Sequence, residues 1–122
     1  QTPHFFQSNI LYQEEIMTWQ TIYNSFKENP RDVKTNPQRN NAPRWFYVYA
    51  QGGDIFIDTA RAHSNSSKIT QRRMLDKCNF EKMLELNDKR NRGLSVYSEA
   101  RDITRNQSYW YGIFRDIQER SL

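Results

Sequence analysis

Apolar positions along this chain recur in two periods. From residue 12 to 28, Tyr12, Ile16, Trp19, Tyr23 and Phe26 are spaced by four and three, the single stripe of an amphipathic α-helix, which Ile22 widens. Asn29-Pro30 ends it, because the residue before a proline avoids the helical region. Over 44–60 the period falls to two. The runs RWFYVYA and DIFIDTA flank Gln51-Gly52-Gly53 and predict a β-hairpin turned on glycine. Its second strand places Ile55 and Ile57 on the core face and leaves Asp54, Phe56 and Asp58 partly wet.

The helical period then returns. Over 79–92, Asn79 is placed to cap a helix, Phe80, Met83, Leu84 and Asn87 to face inward, and Gly93 to close it. Lys89, Arg90 and Arg92 fall in its last turn, where they oppose the helix dipole. A short helix over 95–103 is capped by Ser95 or Ser98. Thr104 to Gln107 has capping-box spacing, and a final helix over about 105–119 turns Trp110, Ile113, Phe114 and Ile117 inward. On that wheel Arg105, Ser108, Tyr111, Gly112 and Arg115 point outward, with Gln107 and Tyr109 on the flanks.

Between these elements, 29–43 (NPRDVKTNPQRNNAP) reads as a loop, and residues 4–11 as an additional strand. The expected fold is α+β. A small antiparallel sheet built on the 44–60 hairpin packs with an N-terminal helix and three C-terminal helices, in a single domain over 1–122. Met17 opens a clean helical run, so that 1–16 reads as an upstream extension.

Composition narrows the function classes. Only 36% of the 122 residues are hydrophobic but 14% are aromatic, so the core must rest on large rings. The longest apolar run, Trp45 to Ala50, is six residues, against about 20 for a membrane helix, so no membrane partner is expected. The first residues lack the basic-then-apolar order of a secretory signal. The lone Cys78, read as a small buried residue at a helix start, favours a reducing, cytoplasmic setting. One Cys and two His cannot make an ordinary zinc site, so neither metal nor other cofactor is expected. Eighteen Lys and Arg against 14 Asp and Glu give a net charge of +4. The pI of about 9.3 permits a nucleic-acid partner.

The local chemistry points the same way. Residues 61–75 carry Arg61, Lys68, Arg72 and Arg73 and no acid, with the hydroxyls of Ser64, Ser66 and Ser67 as further contacts to phosphate. The stretch SEARDITRNQSYWYGIF, 98–114, resembles a helix-turn-helix DNA-binding motif. Ala100 stands at the small position of its first helix, Ile103 closes that helix, and Trp110 and Ile113 are the inner positions of the second. Thr104 and Arg105 replace the usual glycine and apolar residue of the turn, and Trp110 is bulkier than the usual aliphatic. The resemblance implies a regulator whose 105–115 helix enters the major groove. Arg105, Gln107, Ser108, Tyr111 and Arg115 would contact DNA, with Lys68, Arg72 and Arg73 holding phosphates.

Two other classes stand beside this one. Trp45, Tyr47 and Tyr49 on one strand face, with Tyr109 and Tyr111 on the last helix, suit a protein-interaction module or homodimer. His63 can serve as a general base in a small hydrolase. The hairpin, the Arg-bearing segment and a helix with Glu81 and Glu85 are similar to the layout of GIY-YIG nucleases, whose defining tripeptides are absent here. Asp54 and Asp58 lie roughly 13 Å apart along a strand, too far to share one metal. No phosphate-cradling glycine motif is present.

Overall fold

The computed structural model describes residues 17–39 and 41–121. The expected strand at 4–11 and the first turn of the expected helix at 12–28 lie outside the described residues. The described part of that helix, α1, spans Trp19–Glu28. Thr18 caps it by accepting the N–H of Thr21 on its side-chain oxygen at 3.1 Å. Trp19, Ile22 and Phe26 form its buried stripe.

Four strands follow: β1 (Arg31–Lys34), β2 (Trp45–Gln51), β3 (Asp54–Thr59) and β4 (Arg73–Leu75). They form one antiparallel sheet in the order β1-β2-β3-β4, so the fold is α+β. The hairpin forms as its alternation requires. Phe46, Val48, Ile55 and Ile57 are buried on one face, and Trp45, Tyr47, Tyr49 and Phe56 are half-buried on the other. Gly52 and Gly53 turn it with φ of 61° and 88°, values other residues adopt only with strain. The Tyr23 hydroxyl of α1 accepts the Gly53 N–H at 3.0 Å and ties helix to turn.

Two strands correct the sequence reading. Residues 31–34, expected within a loop, pair with β2 from Arg31 opposite Val48 to Lys34 opposite Trp45. Residues 73–75, within the expected basic stretch, pair with β3. Both are short, and each offers the core one buried apolar residue, Val33 and Leu75. Neither carries a detectable period.

After β4, a 3₁₀ turn at Lys77–Asn79 leads into α2 (Phe80–Asn91), then α3 (Tyr97–Ile103) and α4 (Gln107–Arg120). Several local expectations are displaced here. Asn79 makes no cap bond; Asp76 instead accepts the Cys78 N–H at 2.9 Å. Cys78 is exposed, because it sits in that turn rather than on the inner face. Leu86 joins Phe80, Met83 and Asn87 in the interior while Leu84 is half-buried. Val96 and Asn106 precede the last two helices without side-chain cap bonds, and Thr104 accepts the Asn106 N–H rather than closing a capping box.

The helices cover one face of the sheet. Trp19, Phe80, Trp110 and Phe114 make a ring cluster with centroid separations of 5.7–6.4 Å, edge-on or tilted. Each such ring, fully buried, contributes roughly 1.5–3 kcal/mol. That is how a chain with few aliphatics fills its core. Arg31 holds the layers together: its Nε and Nη2 donate to Asp116 Oδ2 on α4 at 3.1 and 2.6 Å, while Nη1 and Nη2 reach Ser25 and Asn29 at the end of α1.

Gly112 explains the seating of α4. A Cβ there would run into the backbone carbonyl oxygen of Lys34 and stand 3.2 Å from the Phe46 ring. The helix therefore lies directly against β1. Among the described residues no helix is long and apolar enough to cross a membrane.

Candidate nucleic-acid interface

The uncovered face of the sheet carries a band of rings. Trp45, Tyr47 and Tyr49 alternate along β2, and Phe56 of β3 stands opposite Tyr49. Tyr47 and Tyr49 are 5.7 Å apart, and Tyr49 and Phe56 stack at 5.3 Å with 21° between their planes. The band continues to Met74 of β4, opposite Phe56, which is 52% exposed.

Cations cap these rings. The Arg61 guanidinium lies 4.0 Å from the Tyr47 centroid and that of Arg72 lies 4.4 Å from the Phe56 centroid. Arg72 also donates to the Tyr49 hydroxyl at 2.8 Å. Lys34 Nζ is 5.6 Å from the Trp45 ring. Arg61 and Arg72 have no carboxylate partner among the described residues, and both are exposed. Asp58 shares this face, but its Oδ1 is engaged by the Thr59 N–H at 2.7 Å.

The β1 side of the face is built around Asp32. Its carboxylate accepts the N–H groups of Arg61 and Ala62 at 2.9 and 2.7 Å and faces His63 Nδ1 at 2.8 Å. The side chain is only 3% exposed. Burial pushes its pKa up, but the Arg61 N–H, the His63 ring and the Ala62 N–H outweigh this and hold it below the usual carboxylate value. An ionised carboxylate only accepts, so His63 Nδ1 is the donor and Nε2 is left free. The His63 ring lies on Trp45 at 3.4 Å between centroids and 9° between planes. The pair borders a hollow of about 300 Å³ between β1 and the end of α4.

The residues expected to bind nucleic acid do not share one surface. Arg72 joins the ring band, and Lys68 is exposed in the segment leading to it. Arg73 is half-buried and donates to Asn106 Oδ1 at 3.0 Å, tying β4 to the start of α4. Arg105, Gln107 and Ser108 border a separate cleft at that same start. Arg115 lies near the far end, donating to Asn36 Oδ1 at 2.8 Å and Glu119 Oε2 at 3.1 Å.

Tyr111 and Gly112, expected outward, are buried. α4 is covered on two sides, by the ring cluster of α1 and α2 and by β1 with its following loop. The helix face spanning Arg105 to Arg115 is thus interrupted at its middle. Tyr109 is likewise half-buried, 4.9 Å from Phe46, and is not a free aromatic.

The pattern along the chain did not reveal the Asp32–His63 pair or the cations over the rings. Asp32 looked like part of a loop, and His63 lay 31 positions away with no visible partner. The one available signal was the alternation of Trp45, Tyr47 and Tyr49 with buried Phe46 and Val48. Among the described residues no group of three His, Cys, Asp or Glu side chains can hold a metal ion. In comparisons with known proteins, no family model, curated protein or solved structure matches this chain.

Proposed function

We propose that this protein binds single-stranded nucleic acid on the open face of its sheet. The observation that carries the reading is the layer of Tyr47, Tyr49 and Phe56 capped by Arg61 and Arg72 at 4.0–4.4 Å. Unpaired bases stack on aromatic rings and on guanidinium planes, and the same guanidiniums pair with the passing phosphates. Neither element demands a particular base, so the reading is of a sequence-tolerant binder. Duplex DNA suits this face less, because paired bases do not present their ring faces. The α4 route to the major groove has weaker support, since Tyr111 and Gly112 are buried, Gly112 against β1.

The test is fluorescence anisotropy with labelled single-stranded RNA, single-stranded DNA and duplex DNA, at about 50 and 200 mM salt. Single strands should bind more tightly than duplex, and binding should weaken as salt rises. Tyr49→Ala should weaken it about tenfold or more, since one stacked base contributes roughly 1–3 kcal/mol. Equal affinity for duplex, or no effect of Tyr49→Ala, overturns the reading. A stable dimer by light scattering that Tyr49→Ala dissociates would instead make the face a protein contact.

The Asp32–His63 hydrogen bond favours a second reading, cleavage of bound RNA. With Nδ1 held by Asp32, Nε2 is the ring atom available to take a proton from a ribose 2′-hydroxyl. The 2′-oxygen would then attack phosphorus and form a 2′,3′-cyclic phosphate, the bond to the 5′-oxygen would break, and that oxygen would take its proton from water. His63→Ala should abolish cleavage of RNA while binding persists; DNA should remain intact. RNA left uncut by the unaltered protein removes this reading.

A further inference from the structure

On the other side of α4, the loop after β1, the end of α2, residues 95–97 and the start of α4 enclose a cleft of about 580 Å³. Its wall holds three guanidiniums, Arg39, Arg90 and Arg105, and no carboxylate. None of the three has an acidic partner among the described residues. Glu99, the acid close enough to act on Tyr111, is paired with Lys82 at 3.3 Å. A smaller hollow of about 320 Å³ shares Pro37, Arg90 and Ser108 with the cleft and adds Arg44, again without an acid.

Arg90 is the inner member. Its guanidinium donates to the Asn36 carbonyl and lies 4.3 Å from the Tyr111 centroid. Burial lowers its pKa, because the guanidinium is drawn partly out of water. Tyr111 forms part of the same wall at 3% exposure, and its buried hydroxyl has no hydrogen-bond partner. Burial raises the pKa of that phenol, so it remains a neutral donor at ordinary pH. The Asn106 side chain makes no cap bond to α4, whose first turn, with Gln107 and Ser108, borders the cleft. Uncapped helix N–H groups add positive potential there.

We propose that this cleft binds a phosphorylated nucleotide through its phosphate groups. Arginine forks match phosphate oxygens in pairs, and three of them from separate segments neutralise a multiply charged group. The volume falls within the range of small-molecule sites and exceeds what an isolated ion needs. Val96 and Tyr97 supply an apolar wall for the organic part. The site lies apart from the ring band, and its occupancy does not depend on how the sheet face is used. The phosphate belongs either to a free nucleotide or to the 5′ end of a strand.

Isothermal titration calorimetry on the full chain tests this with five probes: a nucleoside 5′-triphosphate, the matching nucleoside, inorganic pyrophosphate, and a short strand with and without a 5′-phosphate. At least one phosphorylated nucleotide probe should bind, and the nucleoside alone should not. Arg39 and Arg105 are exposed, so Arg39→Ala and Arg105→Ala should fold normally, as unfolding curves will verify. Each should weaken binding of the triphosphate about tenfold. Strand binding that the 5′-phosphate strengthens and Arg105→Ala weakens assigns a strand end; triphosphate binding with no such strengthening assigns a free nucleotide. Absence of triphosphate binding, together with no gain in strand affinity from the 5′-phosphate, overturns the proposal. So does unaltered affinity in both arginine variants, or pyrophosphate as the sole ligand.

Discussion

Asp32 and His63 meet through a 2.8 Å hydrogen bond that fastens the segment after β3 across the edge strand β1. The N–H groups of Arg61 and Ala62 converge on the same carboxylate. One buried side chain thereby positions both Arg61 over Tyr47 and His63 over Trp45. Removing it should loosen the ring band as well as the fold.

Asp32→Ala should therefore destabilise the protein by about 2–3 kcal/mol, since three bonds to an ionised group are lost. Asp32→Asn should be milder. The pKa of Asp32 is lowered on folding, so its contribution is full above the unfolded value and is lost as pH falls through the folded one. Urea unfolding at pH 7 and at about pH 3 should show a drop in wild-type stability that is smaller in Asp32→Asn.

Gly112→Ala sets two effects against each other. Alanine gains about 1 kcal/mol of helix propensity over glycine. Its Cβ, however, would overlap the Lys34 carbonyl oxygen, a backbone atom that cannot swing away. Overpacking of this kind costs about 1–3 kcal/mol and dominates where backbone must shift. Thermal unfolding should show a net loss of roughly 1–2 kcal/mol.

Asp116→Ala should be among the most damaging single changes. It leaves the Arg31 guanidinium, whose side chain is 9% exposed, without its carboxylate. Breaking a largely buried pair from one side costs about 3–5 kcal/mol. The neighbouring pair of Asp116 with Arg120 lies at the surface, so Arg120→Ala should cost under about 1 kcal/mol. Chemical denaturation of the two variants separates these cases.

Arg72 and Arg73 are adjacent in sequence and differ in role. Arg72→Ala removes an exposed cation over Phe56 and should weaken nucleic-acid binding and flatten its salt dependence, with stability within about 0.5 kcal/mol. Arg73→Ala breaks the bond to Asn106 and should lower stability by about 1 kcal/mol. Anisotropy and unfolding curves on both variants would expose any exchange of these roles.

The parts legible along the chain were those with a long local period. The hairpin declared both its faces, since each alternate residue reports burial independently. The core stripes of α1 and α4 were equally plain. β1 and β4 were not, because each buries one apolar residue and draws its pairing from a neighbour. The helical wheel misplaced Tyr111 and Gly112 because it allots a helix one buried face, whereas α4 is covered on two. The pairing of Asp32 with His63 and the gathering of Arg39, Arg90 and Arg105 arise only on folding. No spacing rule joins residues brought together by three different turns.

Among the described residues, each strand after β1 pairs with its predecessor in the chain, so the ladder hydrogen bonds of the four strands are available once Leu75 has been made. Such neighbour-to-neighbour closure is fast, because little chain entropy is lost before each contact forms. The contact of Gly112 with the Lys34 carbonyl closes a far longer stretch of chain than any strand pairing in the sheet, and so costs more loop entropy. Folding kinetics should accordingly place the hairpin early and the docking of α4 last.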